Sequence, residues 1–154
     1  MKLDYCFHSH TSRCGHAKGE DEQYVIEAIN AGIKTLGFSD HVFLPGKHQP
    51  GVRGDYSKLE DYKNSVSSLK EKYKNDINIY LGFECEYFDE FVDYYKSLLE
   101  KEGFDYLILG QHFFMDNGEF FYFRNDISLE NAERYLREVE NKILKHNFDK
   151  NRIS

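Results

Sequence analysis

The chain has few cysteines, which form the disulfides of small secreted proteins, and few prolines, which end helices and strands. Of its 154 residues, two are Pro, none is Trp and three are Cys. An odd number of cysteines without a C-x-x-C pair argues against a disulfide framework and against a Cys-rich zinc module. We therefore expect reduced thiols, as in a cytoplasmic protein.

Long apolar runs and an excess of basic residues are also missing. Charged residues make up 31% of the chain and the mean hydropathy is −0.69, which predicts a soluble protein without a membrane span or a secretory signal. The net charge of −7 argues against a broad nucleic-acid surface. A small phosphorylated substrate stays compatible with this charge, because bound metal cations can supply local positive charge.

Strand and helix patterns alternate along the whole chain. Strands are predicted at residues 3–7, 34–39, 77–83 and 106–109. Helices are predicted from residue 20, from 57, from 89 and from 128 to 146, with apolar stripes that include Ile26, Leu99, Leu129 and Leu136. A loop rich in Phe, Asp and Asn is predicted between the fourth strand and the fourth helix. Ser57 and Glu60 have the form of a capping box, and Asp89 is the predicted cap of the third helix. Strict alternation predicts an α/β fold of four βα units with parallel strands, in a single domain over residues 1–154.

Metal-competent side chains follow every predicted strand. These are His8 and His10, then Asp40 and His41, then Glu84 and Glu86, and finally His112. The carboxyl ends of parallel strands share one edge of the sheet, which is where α/β folds build their active sites. Four such coincidences at one edge predict a metal site there.

The N-terminal histidines have the most telling spacing. Residues i and i+2 of an extended segment point the same way, so His8 and His10 can meet one ion. His16 lies on the following loop and can fold back toward them. Three of the seven histidines thus fall within nine residues, which is typical of a metal site.

Several of these side chains have a structural alternative. His41 could instead cap a loop. His112 could instead be a core histidine whose hydrogen bonds are made within the protein. Glu84 lies in a segment that looks buried, where a carboxylate without a cation is costly, so ligation is favoured. Four further residues are assigned other roles: Glu86 as a supporting or structural carboxylate that is more exposed than Glu84, Cys14 as a packing residue, and His48 and His146 as solvated side chains.

Five short motifs together resemble one family. They are His8-Ser9-His10, Cys14-Gly15-His16, Phe38-Ser39-Asp40-His41, the segment GFECEY at 82–87, and Gly110-Gln111-His112-Phe113. This set resembles the PHP (polymerase and histidinol phosphatase) superfamily, and within it the PHP-type histidinol-phosphate phosphatases most closely.

The resemblance implies a distorted TIM-like barrel of seven βα units, (β/α)7, with up to three divalent ions, Zn, Fe or Mn. The implied ligands are His8 and His10 for the first ion, Glu84 as a bridge to the second, His112 for the second, and His16 and His41 for the third. Asp40 would orient His41, the usual role of a carboxylate beside a ligating histidine.

The implied reaction is hydrolysis of L-histidinol phosphate to L-histidinol and phosphate, in histidine biosynthesis. Asp40 and Arg13 are assigned to the chemistry, Arg13 as a phosphate contact because guanidinium fits phosphate bidentately. Arg53 and Arg124 are further candidates for that contact. The alternatives are another PHP phosphoesterase and a metal-binding remnant without activity.

The chain also departs from the family pattern. The further histidine and the Asp-x-His motif expected from the C-terminal half are missing, and only about four of the βα units can be recognised. We therefore expect the N-terminal portion of the fold. An incomplete barrel has open strand edges and apolar faces, so we also expect homo-oligomers or poor solubility unless these are covered.

Overall fold

The computed structural model describes residues 3–116, 119–122 and 128–145, with side chains described for 3–112 and 128–141. The chain forms two compact units, Met1–Leu109 and Gly110–Ser154. Across the described residues, none of the helices combines the length and the apolar character needed to span a membrane.

The first unit contains a four-stranded parallel sheet in the order β1-β2-β3-β4. The strands are β1 (Tyr5–Cys6), β2 (Thr35–His41), β3 (Asn78–Cys85) and β4 (Tyr106–Leu109). The predicted parallel arrangement is confirmed. Strands β2 and β3 run two residues further than predicted, and their final residues include His41 and Glu84.

Three helices of the first unit connect these strands: α1 (Asp21–Ala31), α2 (Leu59–Lys72) and α3 (Val92–Glu100). Helix α1 begins after Glu20 with a reciprocal capping box to Gln23 and ends at Gly32, which has a φ of 74°. The apolar stripes were wrong at two positions, because Ile26 and Leu99 are 41% and 37% exposed.

The predicted caps of α2 and α3 were also wrong. Asp55 accepts from the Ser57 amide and caps a 3₁₀ turn, Tyr56–Lys58, that leads into α2. A second 3₁₀ turn, Asp89–Phe91, precedes α3, and Asp89 instead accepts from the Tyr87 hydroxyl. Both helices thus begin with a tighter turn that the sequence pattern did not reveal.

The hydrophobic core lies between one face of the sheet and the helices. Leu36, Phe38, Leu81 and Phe83 alternate along β2 and β3 on this face and are buried, as period-two patterning requires. The Tyr62 ring of α2 stacks on Phe83 with 5.1 Å between ring centroids. The intervening residues of both strands therefore occupy the opposite face, and this parity decides where the polar side chains at the strand ends lie.

Tyr106 of β4 fills the opposite face above two glycines. A Cβ atom added at Gly82 would lie 2.5 Å from the Tyr106 ring, and one added at Gly37 would also clash with it. The Tyr106 hydroxyl lies 2.9 Å from the carbonyl oxygen of Phe7 and 3.0 Å from that of Phe38. Glycine at both positions thus gives the tyrosine room to reach the residue that follows β1.

The second unit contains an antiparallel pair, β5 (Phe113–Asp116) and β6 (Glu119–Tyr122), and helix α4 (Leu129–Lys145), which contacts β5. The Phe-rich segment after β4, which we expected to be a loop, is therefore a β-hairpin. Helix α4 matches the predicted span to within one residue at each end. Its predicted inward positions Leu129 and Leu136 are 77% and 61% exposed.

Candidate metal centre

Glu84 lies at the centre of a histidine cluster at the carboxyl edge of the sheet. Its Oε2 atom is 3.2 Å from Nε2 of His8, 3.4 Å from Nε2 of His10 and 3.4 Å from Nδ1 of His41. The Glu84 side chain is only 3% exposed, whereas His8 is 52% exposed. The cluster is therefore closed at the sheet and open toward His8.

Strand register explains why these residues meet. His41 pairs directly with Glu84 across β2 and β3. Both have the parity of the face opposite to the helices, so their side chains project to the same side. His8 and His10 follow β1, which pairs with β2, and the Ser9 amide donates to Ser39 Oγ at 3.0 Å. This bond holds the His8-Ser9-His10 segment against the end of β2.

His16 joins the same cluster from the loop after β1. Its ring centroid lies 4.9 Å from that of His41 and 5.8 Å from that of His10. The ligand atoms of His10, His16 and His41 lie within 4.8 Å of one another, as do those of His8, His10 and Glu84. Within the first unit, the structure thus brings together five of the six predicted ligands.

These distances fit divalent metal coordination. Zn–N and Zn–O bonds of about 2.0–2.2 Å in a tetrahedral site place two ligand atoms roughly 3.3–3.6 Å apart. The separations of 3.2–3.4 Å between Glu84 and the imidazole nitrogens fall close to that range. Burial lowers the pKa of His41 to about 4, so at neutral pH its imidazole is in the neutral form that binds metals.

The sixth predicted ligand, His112, belongs to the second unit and has an exposed side chain. Its assignment to a metal stays a prediction. The predicted solvated histidine His48 pairs with Asp55 at 3.0 Å and is 70% exposed. His146 and Arg124 lie outside the described residues.

Asp40 contacts both His10 and the backbone of His41. Its Oδ1 lies 3.7 Å from Nδ1 of His10 and accepts a hydrogen bond from the backbone amide of His41 at 2.9 Å, while Oδ2 accepts from the Thr11 hydroxyl. Asp40 shares the parity of Phe38 and so points away from the His41 ring. Its carboxylate therefore lies close enough to support His10. The predicted role of Asp40 in orienting His41 stays a prediction.

Arg13 forms ion pairs away from the cluster. Nη1 donates to both carboxylate oxygens of Asp21, at 3.0 and 2.8 Å, and Nε donates to Asp61 at 2.8 Å. These bonds connect the loop after β1 with α1 and α2. The role of Arg13 as a phosphate contact stays a prediction.

Cys14 is buried beside the cluster. Its Sγ donates to the carbonyl oxygen of Thr11 at 3.4 Å and lies 3.8 Å from Nδ1 of His10. Burial, together with the Asp40 carboxylate, raises the pKa of the Cys14 thiol to about 12. The neutral thiol at physiological pH agrees with the predicted packing role.

Two features of the site were missed by sequence reasoning. Thr11 is completely buried and donates to Asp40. Arg53 is buried and pairs with Glu86 at 2.9 Å, although we expected Glu86 to be the more exposed of the two glutamates. The position of Thr11 directly after His10 was an available signal for the first feature, whereas nothing in the spacing of residues 53 and 86 indicated the second.

The chain is similar to one known domain family and to proteins named histidinol-phosphatase. The PHP domain model matches residues 7–150. The histidinol-phosphatase of Bacillus subtilis is 32% identical over 114 residues, which are 69% of this chain and 42% of that protein. The histidinol-phosphatase of Lactococcus lactis is 30% identical over 116 residues, 72% of this chain and 39% of that protein. The chain thus spans less than half the length of these curated relatives.

A solved structure shares the fold. Histidinol phosphate phosphatase from Lactococcus lactis, crystallised with zinc, L-histidinol and phosphate, matches with a TM-score of 0.68 at 22% identity, over 97% of this chain and 55% of that one. This likeness confirms the predicted fold, a parallel α/β sheet that forms part of a TIM-like PHP barrel. Since the family model also covers residues 7–150, the chain belongs to the PHP domain family.

Proposed function

We propose that this chain carries a metal-dependent phosphomonoesterase site, and that its substrate is L-histidinol phosphate. One observation carries the proposal: a buried carboxylate oxygen of Glu84 lies within 3.2–3.4 Å of three imidazole nitrogens at the carboxyl edge of a parallel sheet. The relatives named histidinol-phosphatase support the substrate class.

The described residues suit this chemistry in distinct ways. Glu84 would bridge ions held by His8 and His10 on one side and by His41 and His16 on the other. When bound, such ions supply Lewis acidity toward a water nucleophile and toward the phosphoryl oxygens. Asp40 would hold His10 in place through the charge that it presents 3.7 Å from Nδ1.

The ligand set accepts several ions. Imidazole nitrogens and carboxylate oxygens suit zinc, iron and manganese alike. The solved Lactococcus lactis structure was crystallised with zinc, which supports zinc as the first ion to test. We propose two or three ions per complete site, with the His112 position as the additional ligand of the second.

Phosphate release by the purified chain tests the proposal. We expect metal-dependent hydrolysis of L-histidinol phosphate that EDTA abolishes and that His10→Gln removes, since His10 belongs to each of the donor groups within the first unit. His48→Gln is the matched control, because His48 pairs only with exposed Asp55 in the structure's contacts and joins none of the donor groups among the described side chains.

A comparison of several substrates tests the proposed substrate separately from the proposed metal site. Faster hydrolysis of another alkyl phosphate monoester or of a phosphodiester than of L-histidinol phosphate would overturn the proposed substrate and leave the proposed metal site. A chain that holds its metal and releases no phosphate from any of these esters would be the metal-binding remnant considered above. The predicted homo-oligomer stays a prediction, which light scattering on the purified chain can measure.

A further inference from the structure

Arg53 is the most deeply buried cation of the first unit's described side chains. Its side chain is 1% exposed, and that of its partner Glu86 is 3% exposed. A buried ion pair seldom improves stability over apolar side chains of the same size, so its presence calls for another reason. The pair lies next to His41, because Oε1 of Glu86 is 4.0 Å from Nδ1 of that histidine. We therefore look for the role of the pair in the histidine cluster.

The Arg53 guanidinium reaches three segments of chain at once. Nη2 donates to Glu86 Oε2 at 2.9 Å, Nη1 donates to the carbonyl oxygen of Val42 at 3.0 Å, and Nε donates to Gln49 Oε1 at 2.7 Å. Val42 directly follows β2, and Glu86 directly follows β3. Three donors in a rigid fork are a geometry that lysine cannot reproduce.

These bonds fix the direction of the Glu86 carboxylate. Because Oε2 is held by Arg53, the other oxygen is turned toward the cluster, and Oε1 lies 4.0 Å from Nδ1 of His41. The same nitrogen lies 3.4 Å from Oε2 of Glu84. Two ligand atoms on one ion with bonds of about 2.1 Å can be at most about 4.2 Å apart, so Oε1 is within reach of an ion held by His41.

We propose that Arg53 is a positioning residue, which holds Glu86 so that Oε1 of this glutamate faces the cation bound at His41. This inference rests on the proposed metal site. Arg53 itself contacts neither metal nor substrate in this role, and it differs from the phosphate contact that we considered from the sequence. We expect its effect on the metal to pass through Glu86, and not through its bonds to Val42 and Gln49, which can be tested.

A Co²⁺ titration followed by visible absorption provides the test, with far-UV circular dichroism as the check on folding. We expect Arg53→Lys to weaken Co²⁺ binding about tenfold and to change the absorption spectrum of the bound ion, the scale typical for partners that orient ligands. Glu86→Gln should weaken binding by a similar factor. Lys70→Met is the control, because Lys70 pairs with Asp105 at the opposite edge of the sheet.

The double variant R53M/E86Q decides whether Arg53 acts through Glu86. We expect it to bind Co²⁺ no more weakly than E86Q, and it avoids the unpaired buried charge that R53M alone would leave. Wild-type affinity and spectrum in a folded R53K variant would overturn the inference, as would a double variant weaker than E86Q by the factor seen for R53K. A wild-type chain that binds no Co²⁺ would overturn it together with the proposed site. Co²⁺ effects as expected, without phosphate release, would overturn only the proposed function.

Discussion

Replacing Glu84 with glutamine distinguishes the effect of this carboxylate on metal affinity from its effect on folding stability. The amide keeps the size of the side chain and removes the charge that lies 3.2–3.4 Å from three imidazole nitrogens. Burial of a carboxylate is costly, so Glu84→Gln should leave the stability of the metal-free chain unchanged or raise it. Metal affinity should change in the opposite direction.

The size of the effect follows from linkage. With Zn²⁺ at 100 times the wild-type Kd, binding stabilises the folded chain by about 2.7 kcal/mol. Loss of a supporting partner alone weakens metal binding by about 10–100-fold, and Glu84 is itself a donor, so we take the upper value. The same Zn²⁺ concentration then equals the Kd of the variant and stabilises it by about 0.4 kcal/mol.

Thermal unfolding with EDTA and with Zn²⁺ measures both quantities. At about 2–4 °C per kcal/mol, the rise in Tm caused by the metal should fall from about 5–11 °C in the wild type to about 1–2 °C in the variant. Glu102→Gln is the control, because Glu102 pairs with Lys63 outside the cluster. A variant that keeps the full rise in Tm, or that loses several kcal/mol without metal, would refute the reasoning.

Three further predictions concern the surroundings of the site. Asp40→Asn should weaken metal binding about 10–100-fold by calorimetry, because it removes the charge that faces His10. Gly82→Ala should lower the free energy of unfolding in urea by about 1–3 kcal/mol, because the new methyl group meets the Tyr106 ring at 2.5 Å. Burial lowers the pKa of His41 to about 4, from an ordinary value of 6.5. The unfolded chain therefore takes up this proton first, and the metal-free protein should lose stability as the pH falls from about 6.5 toward 4, less so in His41→Gln.

Each of the three has a contrary outcome. Unchanged metal affinity in Asp40→Asn would show that the carboxylate serves only Thr11 and the backbone. A Gly82→Ala variant as stable as the wild type would show that the Tyr106 ring can move aside at no cost. Equal pH dependence with and without His41 would assign the loss of stability in acid to other groups.

The sequence predicted the sheet and most of the cluster because both depend on short-range pattern. Alternating apolar residues located four parallel strands, and residues that end such strands meet at one edge whatever the connections between them. The predicted ligands His8, His10, His41 and Glu84 could be located from this pattern alone. The proximity of Asp40 to His10 could not be predicted from the strand pattern, because the two residues belong to different segments of the chain.

Features that depend on long-range contacts could not be predicted in this way. The bond between Arg53 and Glu86 joins residues 33 positions apart, and no local pattern indicates it.

The hairpin β5–β6, in contrast, was predictable from the sequence. Asn117-Gly118 between two apolar runs is a strong hairpin signal, which the Phe-rich composition obscured. The exposure of Leu129 and Leu136 depends on what covers α4, which a helical stripe does not reveal.

The contact of Tyr106 with Phe7 has a consequence for the order of assembly. Strand β1 has only two residues, and the hydroxyl of a side chain 99 positions later steadies the segment that follows it. During synthesis the first two histidines leave the ribosome at the start, yet the contact of Tyr106 with Phe7 can form only after β4 has been synthesised. We therefore expect tight metal binding to develop late in folding, after β4 has joined the sheet.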